Sequence, residues 1–244
     1  GQLIVPGGIG GMGWGAPAAA AAKLVHPGKR ITCLAGDGGF MMTMPVLTTC
    51  VQQDLPIVVV VANNRGLGMV RDNLKAARIA VDFETTHLKP DHPRAEIVSC
   101  SVSDGLMTIA FPWRGEVVSA MRGLLRSPAV GKIAANLKFE DRWCRAKLGI
   151  GVRNWRWDTV VAAHVLDNRP EIASVKFQSY VLLGQPDYSS HLSGYLKSRN
   201  GGGNEPNRAR EIDLPSLLLY NSLDSLLEWK IAHIQAEQMG ASLT

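Results

Sequence analysis

Hydrophobic and polar positions alternate with two different rhythms along this chain, and the change falls near residues 74–77. Before it, residues 56–62 read PIVVVVA, a near-continuous β-branched run of the kind buried on both faces of a parallel sheet. Residues 30–35 (RITCLA) predict an earlier short strand that stops at the turn Gly36-Asp37-Gly38-Gly39, and residues 44–53 predict the helix between the two strands. A small-residue helix opens at Pro17, runs through Ala22 to Val25 and is broken by His26-Pro27-Gly28-Lys29. Strand, turn, helix and strand in that order make a βαβ unit.

From Lys75 the register restarts. Residues 78–84 (RIAVDFE) predict a new strand, and 97–103 with 107–111 predict further strands of a meander. Helices are expected over 117–125, 138–148 and 157–167, and a flexible loop over 198–210, where three glycines follow one another. The strongest helix is 217–238, with Leu218, Leu219, Leu226, Leu227, Ile231 and Ile234 at helical spacings. No internal repeat is visible. The pattern therefore predicts two α/β segments in series.

Composition adds bounds to this picture. A chain of 244 residues, 46% hydrophobic and 19% charged, can hold one large or two small globular domains. Its net charge of +5 is compatible with a polyanionic partner and too mild to require one. Cys33, Cys50, Cys100 and Cys144 form no CxxC pair, so reduced, packed thiols are expected. No apolar run approaches the roughly 20 residues that cross a bilayer. The amino terminus lacks a basic region, and residues 16–22 are too short for a signal core. A cytoplasmic location without membrane contact is the expectation, and the absence of an initiating Met suggests a start inside a longer reading frame.

The first segment carries a diphosphate–metal signature. The Asp37 carboxylate and the Asn64 side-chain oxygen are hard ligands suited to Mg²⁺ or Ca²⁺ bridging a diphosphate. Both fall at carboxyl ends of adjacent predicted strands, where α/β sheets place ligands, and Gly36 and Gly38 would let phosphate oxygens approach the backbone. GDGGF, then LPIVVVVANNRGLGMV, with GGMGWGAPAAAAAKLVHPGKR upstream, resembles the diphosphate-binding domain of thiamine-diphosphate enzymes of the acetolactate synthase kind, over residues 1–74. The resemblance implies thiamine diphosphate with Mg²⁺ held by Asp37, Asn64 and the Gly66 carbonyl, and Met12 beneath the bent cofactor. It also implies a truncated fragment that turns over nothing, because the family's activating glutamate comes from a separate domain and the sequence beyond Arg71 departs from the pattern.

The second segment carries acids. Asp82 and Glu84, two apart in a strand, project to one side. Tyr220 and Asp224, at i and i+4, share a helix face. Between them Glu140 and Asp158 stand near the starts of predicted helices. Clustered carboxylates repel unless cations neutralise them, and phosphodiester cleavage by two divalent ions needs such a cluster. VDFETTHLKP, AANLKFEDRW, WDTVVAAHVLDNR and YNSLDS resemble, in that order, the phage-type proofreading 3′→5′ exonuclease domain of family A DNA polymerases, in the DnaQ-like (RNase H-like) superfamily. The resemblance covers residues 76–240 and implies an RNase H-like α/β domain with a mixed sheet over 76–244.

The same resemblance implies a set of roles. Asp82, Glu84, Glu140 and Asp224 would hold two Mg²⁺ or Mn²⁺ ions, and Tyr220 would position the attacking water. The substrate would be the 3′ end of single-stranded DNA, released as nucleoside monophosphates, with a polymerase module as a further partner. The second motif usually supplies Asp where this chain has Glu140, so Asp141 is a rival ligand. DNA and RNA stay open as substrates, as do a thiamine-diphosphate-dependent fragment and a non-catalytic nucleic-acid-binding module as alternatives. Trp143, Trp155 and Trp157 fit core packing or base stacking. Lys132, Lys138, Arg142, Arg145 and Lys147 fit a phosphate-following cluster or a solvated face. Asp158 fits orienting a neighbour or capping a helix, and His87 has no evident partner.

Overall fold

Alanine loses no side-chain entropy on entering a helix, and Ala16 with Ala18 to Ala22 makes α1 (Gly15–Val25). Pro17 falls inside its first turn, where a missing N–H costs nothing. The helix belongs to the first of two compact units, Gly1–Arg71 and Asp72–Thr244, in a computed structural model that describes residues 2–6, 11–63, 78–198 and 204–243. Lys23 closes α1 by donating to the Pro27 and Lys29 carbonyls at 2.7 and 2.8 Å.

In this unit β1 (Ile31–Gly36) pairs in parallel with β2 (Ile57–Ala62), as the βαβ reading requires. Three expectations need correction. The helix expected over 44–53 is a pair, α2 (Asp37–Thr43) and α3 (Val46–Gln52), separated at Pro45, which supplies no N–H to a helical ladder. Asp37 to Gly39, expected as a turn, are already helical. The valines of β2 are not sandwiched: Val58 is 58% exposed and Val60 47%. Among the described residues the sheet has two strands, and α1 and α2, which pack against β2, leave one face of the β-branched run open.

The second unit is built on β3 (Arg78–Thr85), whose interior residues Ile79, Ala80 and Val81 are completely buried. It is the central strand of a five-stranded sheet ordered β5-β4-β3-β6-β7. β4 (Ile97–Ser103) and β5 (Thr108–Pro112) complete an antiparallel meander, while β6 (Gly131–Ala134) and β7 (Trp155–Asp158) run parallel to β3. The mixed sheet that the resemblance implies is therefore present. Gly105 turns the β4–β5 hairpin at φ +85°, and a Cβ there would fall 2.4 Å from the Trp229 ring.

Helices connect the strands: α4 (Glu116–Arg126), α5 (Leu137–Trp143) running into a π-helical turn over Cys144–Leu148, and α6 (Thr159–Leu166). α7 (Val175–Leu183), α8 (Ser193–Leu196) and α9 (Leu214–Gln238) follow. Residues 155–158, partly expected in a helix, are strand because alternating Trp155 and Trp157 suit a half-buried pleated surface. β6 and α7 carry no pattern strong enough to be anticipated.

α9 packs across β3, β4, β5 and β6. At one end Ala232 and Ala236 meet Ala80 and Ile133, with Trp157 and Trp229 packed around them. Leu227 and Ile231 meet Val175 of α7. Toward the middle the buried face turns polar, with Asn221, Asp224, Ser225 and Glu228 all hidden from solvent, while Leu219 is 48% exposed. A long helix that buries polar groups must have partners or ligands for them.

Candidate metal centre

β3 places Asp82 and Glu84 on one face, directly across from Ser101 and Ser99 of β4. The register slips between Glu84 and Thr85, a bulge of the kind that re-aims a side chain beside a site. α9 brings Asp224 over the same face. Oxygen atoms of Asp82, Glu84 and Asp224 then all lie within 4.8 Å of one another, an arrangement able to hold a metal ion.

Asn221 fastens this geometry. Its main-chain carbonyl accepts from Ser101 Oγ at 2.7 Å and its Oδ1 from Ser99 Oγ at 2.9 Å. Its Nδ2 donates to Asp82 Oδ2 at 2.5 Å. One side chain thus ties helix to sheet and fixes a carboxylate. Asn221→Ala is expected to weaken Mn²⁺ binding by about 10–100-fold, as loss of an outer partner of a metal ligand does. Titration calorimetry checks it, and unchanged affinity would remove Asn221 from any positioning role.

Lys176, near the start of α7, donates to both oxygens of Asp224 at 2.9 and 2.8 Å. The Tyr188 hydroxyl also donates to Asp224. Lys176 Nζ stands 4.8 Å from the centre of the Tyr220 ring, within cation–π range. Burial opposes the lysine's charge, but Asp224, Glu84 and Asp82 outweigh it and raise the ammonium's pKa. Tyr220 is itself buried on the Asp224 face of α9; burial and the neighbouring Asp224, Glu84 and Asp82 push its phenol up.

The acids respond to their confinement. Burial, then the Asp224 charge, pushes Asp82 up to about 7, with Lys176 and Asn221 opposing. Glu84 lies well above the usual carboxylate range through burial and the charges of Asp82 and Asp224. Glu140, on α5, stands outside the 4.8 Å group, yet it is 2% exposed, and after burial the Asp82 charge does most to raise it. Its Oε2 has no hydrogen-bond partner. Asp141 points elsewhere: it accepts from Arg145 Nε at 2.5 Å and from the Val152 N–H at 2.9 Å.

Asp158 takes both readings left open for it. It caps α6 by accepting from the Val160 and Val161 N–H groups, and it accepts from the Asn136 and Leu137 N–H groups at the start of α5. It therefore steadies the helix that presents Glu140. Four residues near the acids escaped the sequence: Lys176, Tyr188, Asn221 and Glu228. Glu228 alone had a signal, standing one helical turn beyond Asp224 just as Asp224 stands one turn beyond Tyr220.

Other candidates resolve quietly. Lys132 does not belong to a surface cluster: it is fully buried, its Nζ donates to the Ser127 and Val130 carbonyls at 2.5 and 2.9 Å, and burial lowers it to about 8. Arg142 pairs with Asp91. His87 is buried, shares a hydrogen bond with Thr86 Oγ1 and stacks on His92. All four cysteines are buried free thiols. Trp157 Nε1 donates to Gln235 Oε1 at 3.0 Å, a packing role.

In the first unit Gly36 closes β1, Asp37 and Gly38 open α2, and Met12 lies half-buried in the turn ahead of α1. Gly13 takes φ +94°, and its carbonyl accepts from Thr43 Oγ1 at 2.9 Å, which holds that turn against α2. Asn64 and Gly66 lie outside the described residues.

Two families match overlapping parts of the chain. The thiamine pyrophosphate enzyme C-terminal TPP binding domain matches residues 1–109. Acetolactate synthase of Arthrospira platensis is 48% identical over 70 residues, 29% of this chain and 12% of its own length. The chain therefore spans about an eighth of such relatives.

Among solved structures, Escherichia coli RNase D, an exoribonuclease involved in structured RNA processing, superposes with a TM-score of 0.53 at 14% identity, covering 71% of this chain and 43% of its own. Brucella melitensis NrnC bound to pGG gives 0.54 at 17%, covering 69% and 76%. At such identities the likeness is one of fold. The acids gathered on β3 and α9 lie in that shared fold, and the 3′-5′ exonuclease family model matches residues 60–181, half of the sequence; the chain belongs to that family.

Proposed function

We propose that residues 76–244 form a 3′→5′ exonuclease domain that removes nucleoside monophosphates from single-stranded DNA ends, and that residues 1–74 are a thiamine-diphosphate-enzyme fragment without turnover. The observation that carries the reading is the convergence of Asp82, Glu84 and Asp224 from a strand and a distant helix. Hard carboxylate oxygens, crowded and partly unpartnered, suit Mg²⁺ or Mn²⁺. Two such ions, held by Asp82, Glu84, Glu140 and Asp224, would supply a water activated near neutral pH and stabilise the leaving oxygen.

The chain's own residues do the rest. Asn221 orients Asp82, and Tyr188 with Lys176 orients Asp224. Tyr220 is assigned to positioning the attacking water beside Asp224. Glu140 is chosen over Asp141 because its free oxygen is buried toward Asp82, whereas both Asp141 oxygens are engaged by Arg145 and Val152. A polymerase module is a fitting partner, and a cytoplasmic setting suits four unpaired thiols. No helix among the described residues is long and apolar enough to cross a membrane.

A 5′-labelled single-stranded oligonucleotide with Mn²⁺ tests this reading. Stepwise shortening from the 3′ end, abolished by chelator, is expected; intact substrate would overturn it. An RNA strand of the same sequence in parallel decides between the nucleic acids. Glu140→Gln is expected to lower the rate by about 100-fold, several kcal/mol being at stake in a lost cation contact, while Asp141→Asn leaves it within a few-fold. The reverse order would transfer the role to Asp141. The match at residues 1–109 keeps a second reading in view, binding of thiamine diphosphate with Mg²⁺, and 2-oxoacid decarboxylation by the purified chain would establish it.

A further inference from the structure

Lys176 Nζ donates to Asp224 Oδ1 at 2.9 Å and to Oδ2 at 2.8 Å, so the ammonium lies between the two oxygens of one carboxylate. A divalent ion chelated by Asp224 would take the same seat, at about 2.0–2.1 Å from each oxygen for Mg²⁺. The two cations cannot share it. Nζ also faces the Tyr220 and Tyr188 rings, 4.8 and 5.8 Å from their centres. The Tyr188 hydroxyl donates to Asp224 Oδ1 from its own side.

The pair is lopsided. The Asp224 side chain is 4% exposed and that of Lys176 37%. A buried carboxylate within 4.8 Å of two others needs a counter-charge, and Lys176 supplies it. The lysine itself is free to withdraw: its ammonium stands at the end of a flexible four-carbon stem that already reaches solvent, so returning to water costs it little. One positive charge nevertheless leaves three carboxylates under-compensated when all are ionised. A divalent ion among them compensates better, once Asp224 is released to it.

We propose that Lys176 is an internal counter-cation that occupies the metal seat at Asp224 in the metal-free chain and competes with the divalent ion for it. The assignment rests on the exonuclease reading for the identity of the site, and adds a residue that none of the three motifs contains. Its consequence is a coupled loading step. The ion takes Asp224 in those chains whose lysine has swung away, and its apparent affinity is lowered by that fraction. Tyr188, which reaches Asp224 independently of the lysine, keeps the carboxylate aimed during the exchange. The same ion pair steadies the metal-free chain, because without it Asp224 would be buried beside Asp82 and Glu84 with no opposite charge.

The test is Mn²⁺ titration of the full chain, followed by the electron-paramagnetic-resonance signal of free Mn²⁺, for wild type, Lys176→Met, Lys176→Gln and Lys176→Arg. Methionine keeps the stem and drops the charge. Glutamine drops the charge and still donates to a carboxylate, so either neutral variant serves if the other fails to fold. Arginine keeps the charge, on a fork that fits Asp224. Both neutral variants are expected to bind Mn²⁺ at least about 10-fold more tightly than wild type. They are also expected to melt lower in chelator and to gain more from added Mn²⁺. Lys176→Arg is expected to bind Mn²⁺ no more tightly than wild type. Unchanged affinity in the neutral variants would overturn the proposal in favour of packing alone, and weaker affinity would overturn it in favour of a lysine that aims Asp224 at the ion. An equal gain in Lys176→Arg would overturn it too, since charge would not be the cause. Absence of Mn²⁺ binding in all four proteins would instead overturn the exonuclease reading beneath it.

Discussion

Asp82→Asn is expected to lower the rate of 3′-terminal nucleotide release by about 10³-fold or more, the consequence of losing several kcal/mol of transition-state stabilisation at about 1.4 kcal/mol per tenfold. Asp82 is chosen because it belongs to every part of the site. It shares the 4.8 Å group with Glu84 and Asp224, receives the Asn221 amide, and is the foremost charged neighbour of both Glu140 and Glu228. Asparagine keeps its size and offers an amide oxygen, so the fold survives while the bridging charge is lost. Folding should in fact become easier without metal, because Asp82 is a half-buried carboxylate repelled by Asp224. The expected pair of results is therefore opposed: activity nearly abolished in Mn²⁺, and a melting temperature in chelator equal to or above wild type. Added Mn²⁺ should raise the melting temperature of wild type by the usual binding linkage and do so much less for the variant. Retained activity in Asp82→Asn would remove the acid group from catalysis.

How much of this was legible in the sequence depends on whether the signal was local. Asp82 and Glu84 are two apart in an apolar strand, Tyr220 and Asp224 four apart in a helix, and such periodicities are read without knowing the fold. The central strand, the meander and α9 follow from the same rules. β6 has only four residues and a buried lysine inside it, so nothing in its pattern opposes a loop. Residues 157–158 carry the pattern of a helix because the helical run after them is continuous; Asp158 belongs at its cap, and boundaries are where pattern is weakest. Lys176 and Tyr188 reach Asp224 from 48 and 36 residues away, contacts created only by packing α7 and the following loop against α9. Asn221 escapes for a different reason: it sits between Tyr220 and Asp224 in a stretch of polar residues that a helical wheel scores as solvated, and only burial reveals it as a joint between β4 and α9. The valines of β2 depart in the opposite direction, since the run is that of a sandwiched strand and one of its faces is open among the described residues.

Trp143→Ala is expected to destabilise the second unit by about 3–5 kcal/mol, the range for deleting a large aromatic from a packed core. Sequence left this side chain two roles, a platform for unpaired bases or a packed anchor, and they predict different losses. Trp143 is 0% exposed, so no base can reach its face in the folded chain. It ends α5, which packs against β3, β6 and β7, and its ring lies 6.0 Å from that of Phe139 on the same helix. Glu140 stands one turn before it, so the tryptophan anchors the helix that presents an acid to Asp82. Its indole N–H has no hydrogen-bond partner, and Trp143→Phe therefore forfeits volume and no hydrogen bond. Urea unfolding is expected to place Trp143→Phe between wild type and Trp143→Ala. Against a total stability of about 5–15 kcal/mol for a domain, the alanine variant should be partly unfolded at 37 °C. Single-strand affinity measured on the folded Trp143→Phe protein should match wild type. A drop in affinity with stability unchanged would restore the base-stacking role and place the ring outside the core.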